Sequence, residues 1–200
     1  MNDRSPEHIR PLLVRIDRLM AERERVLVAI DGGSASGKTM LGALLQSIYG
    51  CPVFHMDDFF LRPEQRTPER FSEPGGNVDR ERFLSEVLLP LREGKTVDYR
   101  RFDCKTFTIA SPRRIEPGRL NIIEGAYAMH PDLAPYYDLT VFLVVSAEKQ
   151  RERILKRNAP AQAELFFDRW IPFEQRYFAA LNVPERCDLT IFLDDQTSVP

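Results

Sequence analysis

Apolar residues recur along this chain in two rhythms. Five short, nearly unbroken runs at 26–30, 52–56, 120–123, 139–145 and 189–193 are each long enough for one strand. Runs without a polar alternate face are the pattern of strands buried on both sides. Between them the period lengthens to that of a helix. Ile9, Leu12, Leu13, Ile16, Leu19 and Met20 predict an amphipathic helix ahead of the first strand. A second helix is expected over 38–48, stopped by Gly50, and a third over 79–91, with Asp79 as its N-cap and Gly94 as its C-cap. Strands alternating with helices predict an α/β fold whose sheet is largely parallel and covered on both faces. Residues 61–78 break the rhythm. Pro63, Pro68, Pro74, Gly75 and Gly76 predict an irregular loop, of the length usually found in binding or mobile loops. Phe166, Phe167, Trp170, Phe173 and Phe178 are spaced like core positions of two further helices, with closing over a substrate as the alternative.

Composition narrows the function more than the fold. At 200 residues, one compact domain with a small appended part is the default. Hydrophobic residues make up 43% and charged residues 29%, which excludes a wholly disordered chain. The 28 basic and 30 acidic residues leave a net charge of −2, so no global footprint for nucleic acid or an anionic membrane is expected. The longest apolar runs fall far short of a membrane span, and arginines and Asp17 interrupt the N-terminal stretch where a secretory signal would need an apolar run. Cys51, Cys104 and Cys187 form no C-x-x-C pair, which fits a reducing cytoplasm. His8, His55 and His130 share no metal-ligand spacing and are expected to be structural or exposed.

The chemistry begins directly after the first strand. Asp31-Gly32-Gly33-Ser34-Ala35-Ser36-Gly37-Lys38-Thr39 satisfies G-x-x-x-x-G-K-[ST] from Gly32 to Thr39. Glycines let the backbone curl so that successive N–H groups face a phosphate, and the following helix offers its positive end to the same anion. Lys38 is placed for the β- and γ-phosphates and the Thr39 hydroxyl for Mg²⁺, with the cradle running on to Met40. Such a string arises by chance in a chain of this length with a probability on the order of one in a few hundred. A nucleotide is therefore expected, ATP with Mg²⁺ first. No N-K-x-D string reads guanine, and the strand at 120–123 ends in Glu124-Gly125 rather than the Asp of motors and AAA-type ATPases.

The second strand runs into Asp57-Asp58-Phe59-Phe60, carboxylates at the strand end where open α/β sheets bind ligands. An acceptor hydroxyl would lose its proton there, although adjacent carboxylates also serve as helix caps. Ser146 opens a helical stretch with Lys149, Arg151, Arg153, Lys156 and Arg157, and Lys149, Arg153, Lys156 and Arg157 share an arc of about 100°. That stripe is either a solvated face or a cationic wall.

Taken together these strings resemble the uridine kinase branch of the P-loop kinases, which includes phosphoribulokinase and bacterial pantothenate kinase. The resemblance runs from about Val26 to Leu193. It implies a P-loop fold with five parallel strands in the order 2-3-1-4-5, a kinase domain over 25–200 and a helical lid near 147–170, with the amphipathic helix read from the periodicity, over 1–24, packed outside it. It places the catalytic base on Asp57, with Asp58 in a variable slot. It gives Asp79, in Asn77-Val78-Asp79, an acceptor-binding role beside its capping one, and aligns Phe102-Asp103 with the family's Tyr-Asp string at the acceptor. Phe stands there for Tyr, and the family's following His has no counterpart through Arg114, so the base of the acceptor stays open. It also implies that Glu124 orients Mg²⁺ through water and that arginines of the 146–158 helix close on the transferring phosphate, Arg153 and Arg157 by register and Arg151 by alignment. The expected function is ATP-dependent phosphorylation of a small-molecule hydroxyl, a uridine- or cytidine-type nucleoside first. A pantothenate-like or sugar-type acceptor, or a nucleotide-binding regulatory module, is the alternative. GTP as donor and a homo-oligomeric state are left open.

Overall fold

The computed structural model describes residues 7–193. Five parallel strands form one sheet: β1 (Val26–Gly32), β2 (Val53–His55), β3 (Leu120–Glu124), β4 (Leu139–Val144) and β5 (Leu189–Phe192). Their order is β2-β3-β1-β4-β5, as the P-loop resemblance implied. β1 is the centre of the sheet, with Val28 opposite Ile122 of β3 and Leu139 of β4. Its side chains alternate between two cores, as the two-residue repeat of a strand requires. Val26, Val28 and Ile30 join α1 (Arg10–Glu22) and α2 (Lys38–Tyr49) through Leu12, Ile16, Leu41 and Leu45 on one face. Leu27 and Ala29 join Phe54, Phe83, Tyr127, Phe142 and Tyr177 on the other. Asp31 continues this second face and is wholly buried.

α2 ends at Gly50 in the left-handed conformation, where the sequence placed its stop. The helix begun by Asp79 runs through Arg80–Phe83, a π turn over Leu84–Leu88, and Leu89–Glu93, ending at Gly94. The segment 61–78 is less irregular than its prolines suggested. It carries a 3-10 turn, Pro63–Gln65, and a short helix, Pro68–Ser72, capped by the Thr67 hydroxyl, which accepts from the Arg70 N–H at 3.1 Å. Five residues are too few to show a hydrophobic period. Two short antiparallel ribbons, Val97–Tyr99 with Arg113–Ile115 and Phe102–Asp103 with Thr108–Ile109, stand outside the main sheet. The chain then forms α3 (Ala147–Arg157), the helix Pro160–Leu165, a π turn Phe166–Trp170, and α4 (Ile171–Leu181). Among the described residues, no helix is long and apolar enough to cross a membrane. The outer helix expected over 1–24 is seen from a 3-10 turn at Glu7–Ile9 onward, and residues 1–6 and 194–200 lie outside the described residues.

Candidate active site

The loop between β1 and α2 owes its shape to a few backbone positions. Gly32 sits at φ +148°, and a Cβ there would stand 2.6 Å from the Leu143 carbonyl oxygen, so no other residue fits without moving β4. Ala35 and Gly37 also take positive φ, +58° and +104°. Lys38 lies folded across this loop, its Nζ donating to the Gly32 and Gly33 carbonyls at 2.9 Å each. The Ser36 hydroxyl is buried, with no hydrogen-bond partner among the described residues. A cleft of about 450 Å³ opens over the loop and brings together Ser34, Ala35, Gly37, Lys38, Thr39, Met40, Asp57, Glu124, Arg153 and Arg157 from the sequence-derived set.

The two strand-end carboxylates divide their work. Asp58 accepts from the Tyr99 hydroxyl and from Arg101 Nε, both at 2.8 Å, and is spoken for. Asp57 is open to the water of the cleft but walled by protein on its other sides. Burial pushes its carboxyl above the usual range against the pull of Lys38, with Glu124 and Asp58 reinforcing the rise. Thr39 Oγ1 donates to Glu124 Oε1 at 3.2 Å, so the hydroxyl and carboxylate assigned to a metal do meet. His55, expected to be structural or exposed, bonds through Nδ1 to the same Glu124 oxygen, and that bond raises its pKa. The sequence missed this contact because 69 residues separate the pair.

α3 begins where expected, with Ser146 as its N-cap accepting from the Lys149 N–H. Its basic residues do not act as one stripe. Arg153 reaches the phosphate loop, donating to the Ala35 carbonyl at 3.1 Å and to the Leu193 carbonyl at 3.3 Å. Arg157 lines the cleft with its guanidinium 5.5 Å from the Phe166 ring. Arg151 instead stacks on Phe167 at 4.6 Å, and Lys149 pairs with Glu152 at 2.8 Å. These stacks correct the core reading of the aromatics. Phe178 is buried, but Phe166, Phe167, Trp170 and Phe173 are half-buried, because short helices and a π turn hold them at the surface under arginines.

Four residues that brace the loop, Glu174, Gln150, Asp31 and Tyr177, have no role assigned from the sequence. Glu174 of α4 accepts from the Ser34 N–H at 2.8 Å and from the Ser34 hydroxyl, and Gln150 Nε2 donates to the Ser34 carbonyl at 2.8 Å. Beneath the loop, Asp31 accepts from the N–H groups of Gly32 and Met129 at 2.7 and 2.9 Å and from the Tyr177 hydroxyl at 2.8 Å.

Burial pushes the Asp31 carboxyl up to about 6, so folding retains its proton where the unfolded chain has lost it, and stability falls as pH rises from about 4 to 6. His130, largely buried and facing Arg80 and Asp132, is pushed down to about 4. The folded state therefore sheds that proton first, and this contribution rises over the same interval. Each is worth roughly 3 kcal/mol, and the two oppose. His130→Gln removes the rising limb, so its unfolding free energy from urea melts should drop between pH 4 and 6 by roughly 3 kcal/mol more than the parent's. Parallel curves would mean that His130 is not held neutral.

The residues aligned with an acceptor site are more dispersed. Asp79 is buried, caps its helix by accepting from the Arg82 N–H at 3.1 Å, and lies 3.4 Å from Arg62. Phe102 is buried against Phe107, and the Asp103 carboxylate accepts from the Lys105 and Thr106 N–H groups in an exposed turn.

A model of the phosphoribulokinase / uridine kinase family matches residues 27–161. Uridine kinase-like protein 4 of Arabidopsis thaliana is 27% identical over 146 residues, covering 68% of this chain but 31% of that protein. A uridine kinase of Chloroflexus aurantiacus is 28% identical over 143 residues, 66% of this chain and 68% of that one. The chain thus spans about a third of the first relative and about two thirds of the second. Among solved structures, a possible uridine kinase from Bacillus stearothermophilus superposes with a TM-score of 0.64 at 22% identity, covering 90% of this chain and 99% of that chain. A D-glycerate 3-kinase from Cryptococcus neoformans gives 0.64 at 12%, covering 98% of both. At these identities the two structures speak for the fold alone.

Proposed function

Because this chain belongs to the phosphoribulokinase / uridine kinase family, we propose that it transfers the γ-phosphoryl group of ATP to a hydroxyl of a small molecule, with a uridine- or cytidine-type nucleoside as the first acceptor to try. The observation that carries this is the meeting of Lys38 and Asp57 in one cleft, a phosphate-binding cation facing a carboxylate with no hydrogen-bond partner among the described residues. A passive nucleotide binder has no use for that base. Lys38 exchanges its two carbonyl partners for phosphate oxygens, and the loop N–H groups hold the same anion. Asp57 takes the proton of the acceptor hydroxyl as the oxygen attacks. Arg153 and Arg157 offset charge that grows on the transferring group.

The residues present fit Mg²⁺. The Thr39 hydroxyl and Glu124 are hard oxygen donors in contact, and this cation usually takes one or two carboxylates plus phosphate oxygens and water. When bound it supplies neutralisation of phosphate charge. The defining experiment follows ATP consumption with uridine, cytidine, pantothenate and simple sugars, identifying the phosphorylated product. ATP turned over only with an acceptor supports a kinase, and binding without any product in the whole set returns weight to a regulatory module.

Arg153→Ala and Arg157→Ala should each lower kcat by about 10²-fold while ATP affinity changes far less, since the guanidinium acts mainly on charge in the transition state. Arg151→Ala, whose partner is the Phe167 ring, should stay near the parent rate. Steady-state kinetics on the three variants check the assignment, and an Arg151 effect as large as the others would reverse it.

A further inference from the structure

Beside the phosphate cleft lies a second cavity of about 230 Å³. Its wall is aromatic and cationic, with Phe60, Phe71, Phe107 and Trp170 together with the guanidiniums of Arg66 and Arg169. Among the described residues, no carboxylate lines it. Arg66 lies over the rings of Phe102 and Phe107 at 5.5 and 5.0 Å, and its Nε donates to the Leu61 carbonyl at 2.9 Å. Arg169 lies over Phe71, Trp170 and Phe173 at 5.0–5.8 Å. Neighbouring arginines are committed, Arg62 to Asp79 and Glu64, Arg70 to Glu81, and Arg80 to Asp132. Among the described residues, Arg66 and Arg169 form no ion pair.

Phe107 closes the turn between Phe102–Asp103 and Thr108–Ile109 at φ +57°, its N–H donating to the Asp103 carbonyl at 2.8 Å, and this turn holds its ring half-exposed, at 49%, on the rim of the cavity. The cavity also adjoins the reacting end of the cleft. Phe60 on its wall follows Asp57 by three residues, and Arg169 and Trp170 follow Phe166 of the cleft wall by three and four.

Stacking covers the faces of the two guanidiniums, whose donors lie in plane, which suits an oxyanion, bidentate in the best case. The geometry points to an anionic acceptor: a hydroxylated small molecule with a flat or apolar body among the aromatics and an oxyanion, carboxylate or phosphate, on Arg66 and Arg169. This rests on the phosphotransferase reading above and narrows it away from neutral nucleosides. A site built around two unpaired cations rejects the analogue that lacks the charge.

The test uses matched pairs on the full chain with a non-hydrolysable ATP analogue filling the phosphate loop. 4-(Hydroxymethyl)benzoate is compared with 4-(hydroxymethyl)benzamide, and 3-(hydroxymethyl)phenyl phosphate with 3-(hydroxymethyl)phenol, by calorimetry. We expect at least one anion to bind tenfold or more tighter than its neutral partner, and the preference to collapse in Arg66→Met and Arg169→Met. Arg66→Lys, which keeps the charge, should retain part of it. Because the two arginines sit on separate segments, one misfolded variant still leaves the other informative, and melts without ligand tell which are folded. Equal binding within both pairs, or a preference surviving both methionine variants, overturns the inference. ATP turnover then separates it from the reading beneath it. An arginine-dependent preference with no product from these anions or from the acceptor set above supports the cavity's selectivity and defeats the kinase, whereas uridine phosphorylated with unchanged kcat/KM in both variants defeats the anionic acceptor and keeps the kinase.

Discussion

Lys38→Ala is expected to abolish acceptor-dependent ATP turnover while the protein still melts cooperatively. Lys38 lies across the phosphate loop with its amine 2.9 Å from two of the loop carbonyls. Without it, the negative charge that builds between the β- and γ-phosphates has no partner at that point, in a cleft where the lost interaction is worth more than in water. The fold does not depend on it to the same degree. The neighbouring loop bonds, Leu41 N–H to the Gly37 carbonyl and Ser36 N–H to the Gly33 carbonyl, are made by the backbone. A stopped assay together with a thermal melt decides the matter, and turnover at the parental rate would remove the phosphate-loop assignment.

Asp57→Asn should lower kcat by roughly 10²–10⁴-fold with ATP binding retained, the range for loss of a positioned general base. Asp58→Asn is the control in the adjacent position. It costs the bonds to Tyr99 and Arg101 and so shifts stability, but it leaves the base in place. The pH profile carries the same distinction. A base works ionised, and burial raises the Asp57 carboxyl above its ordinary 3.8, so activity should fall on acidification before an ordinary carboxylate would titrate. That acid limb should vanish in Asp57→Asn. A large loss of kcat in Asp58→Asn with Asp57→Asn near normal would mean that the register of the two carboxylates is reversed.

The parts of the site visible in the sequence are those in which neighbours along the chain are also neighbours in space. Gly32 to Thr39 form one turn, and the strand ends at Asp57 and Glu124 converge because parallel strands align their carboxyl ends. Apolar runs located all five strands; in β1, β3 and β4 burial on both faces leaves no polar alternate to blur them, whereas β5 keeps its apolar run although Thr190 and Phe192 are exposed. Glu174, Tyr177 and His55 were invisible for the complementary reason. Each is an ordinary polar or aromatic residue whose meaning comes from a partner 69 to 146 residues away. The aromatics near Trp170 were assigned to a core because spacing cannot tell a ring beneath a helix from one beneath an arginine. The π turns at Leu84–Leu88 and Phe166–Trp170 shift side-chain register by about one residue per turn, which no search for a 3.6-residue period can register.

The phosphate loop is local in sequence but not in its support. Ser34 is held by Glu174 and Gln150, and Ala35 by Arg153, at separations of 140, 116 and 118 residues. Long-range contacts of this kind form after local ones during folding, because closing the intervening chain costs entropy first. A chain emerging from the ribosome therefore carries its whole nucleotide motif long before it carries the wall that braces it. Synthesis must pass residue 174 before the loop is clasped, and this orders events in time: the strand and helix flanking the motif come first, the clasp last. Any fragment ending before α4 would keep the motif intact to the eye and lose the brace that fixes its shape.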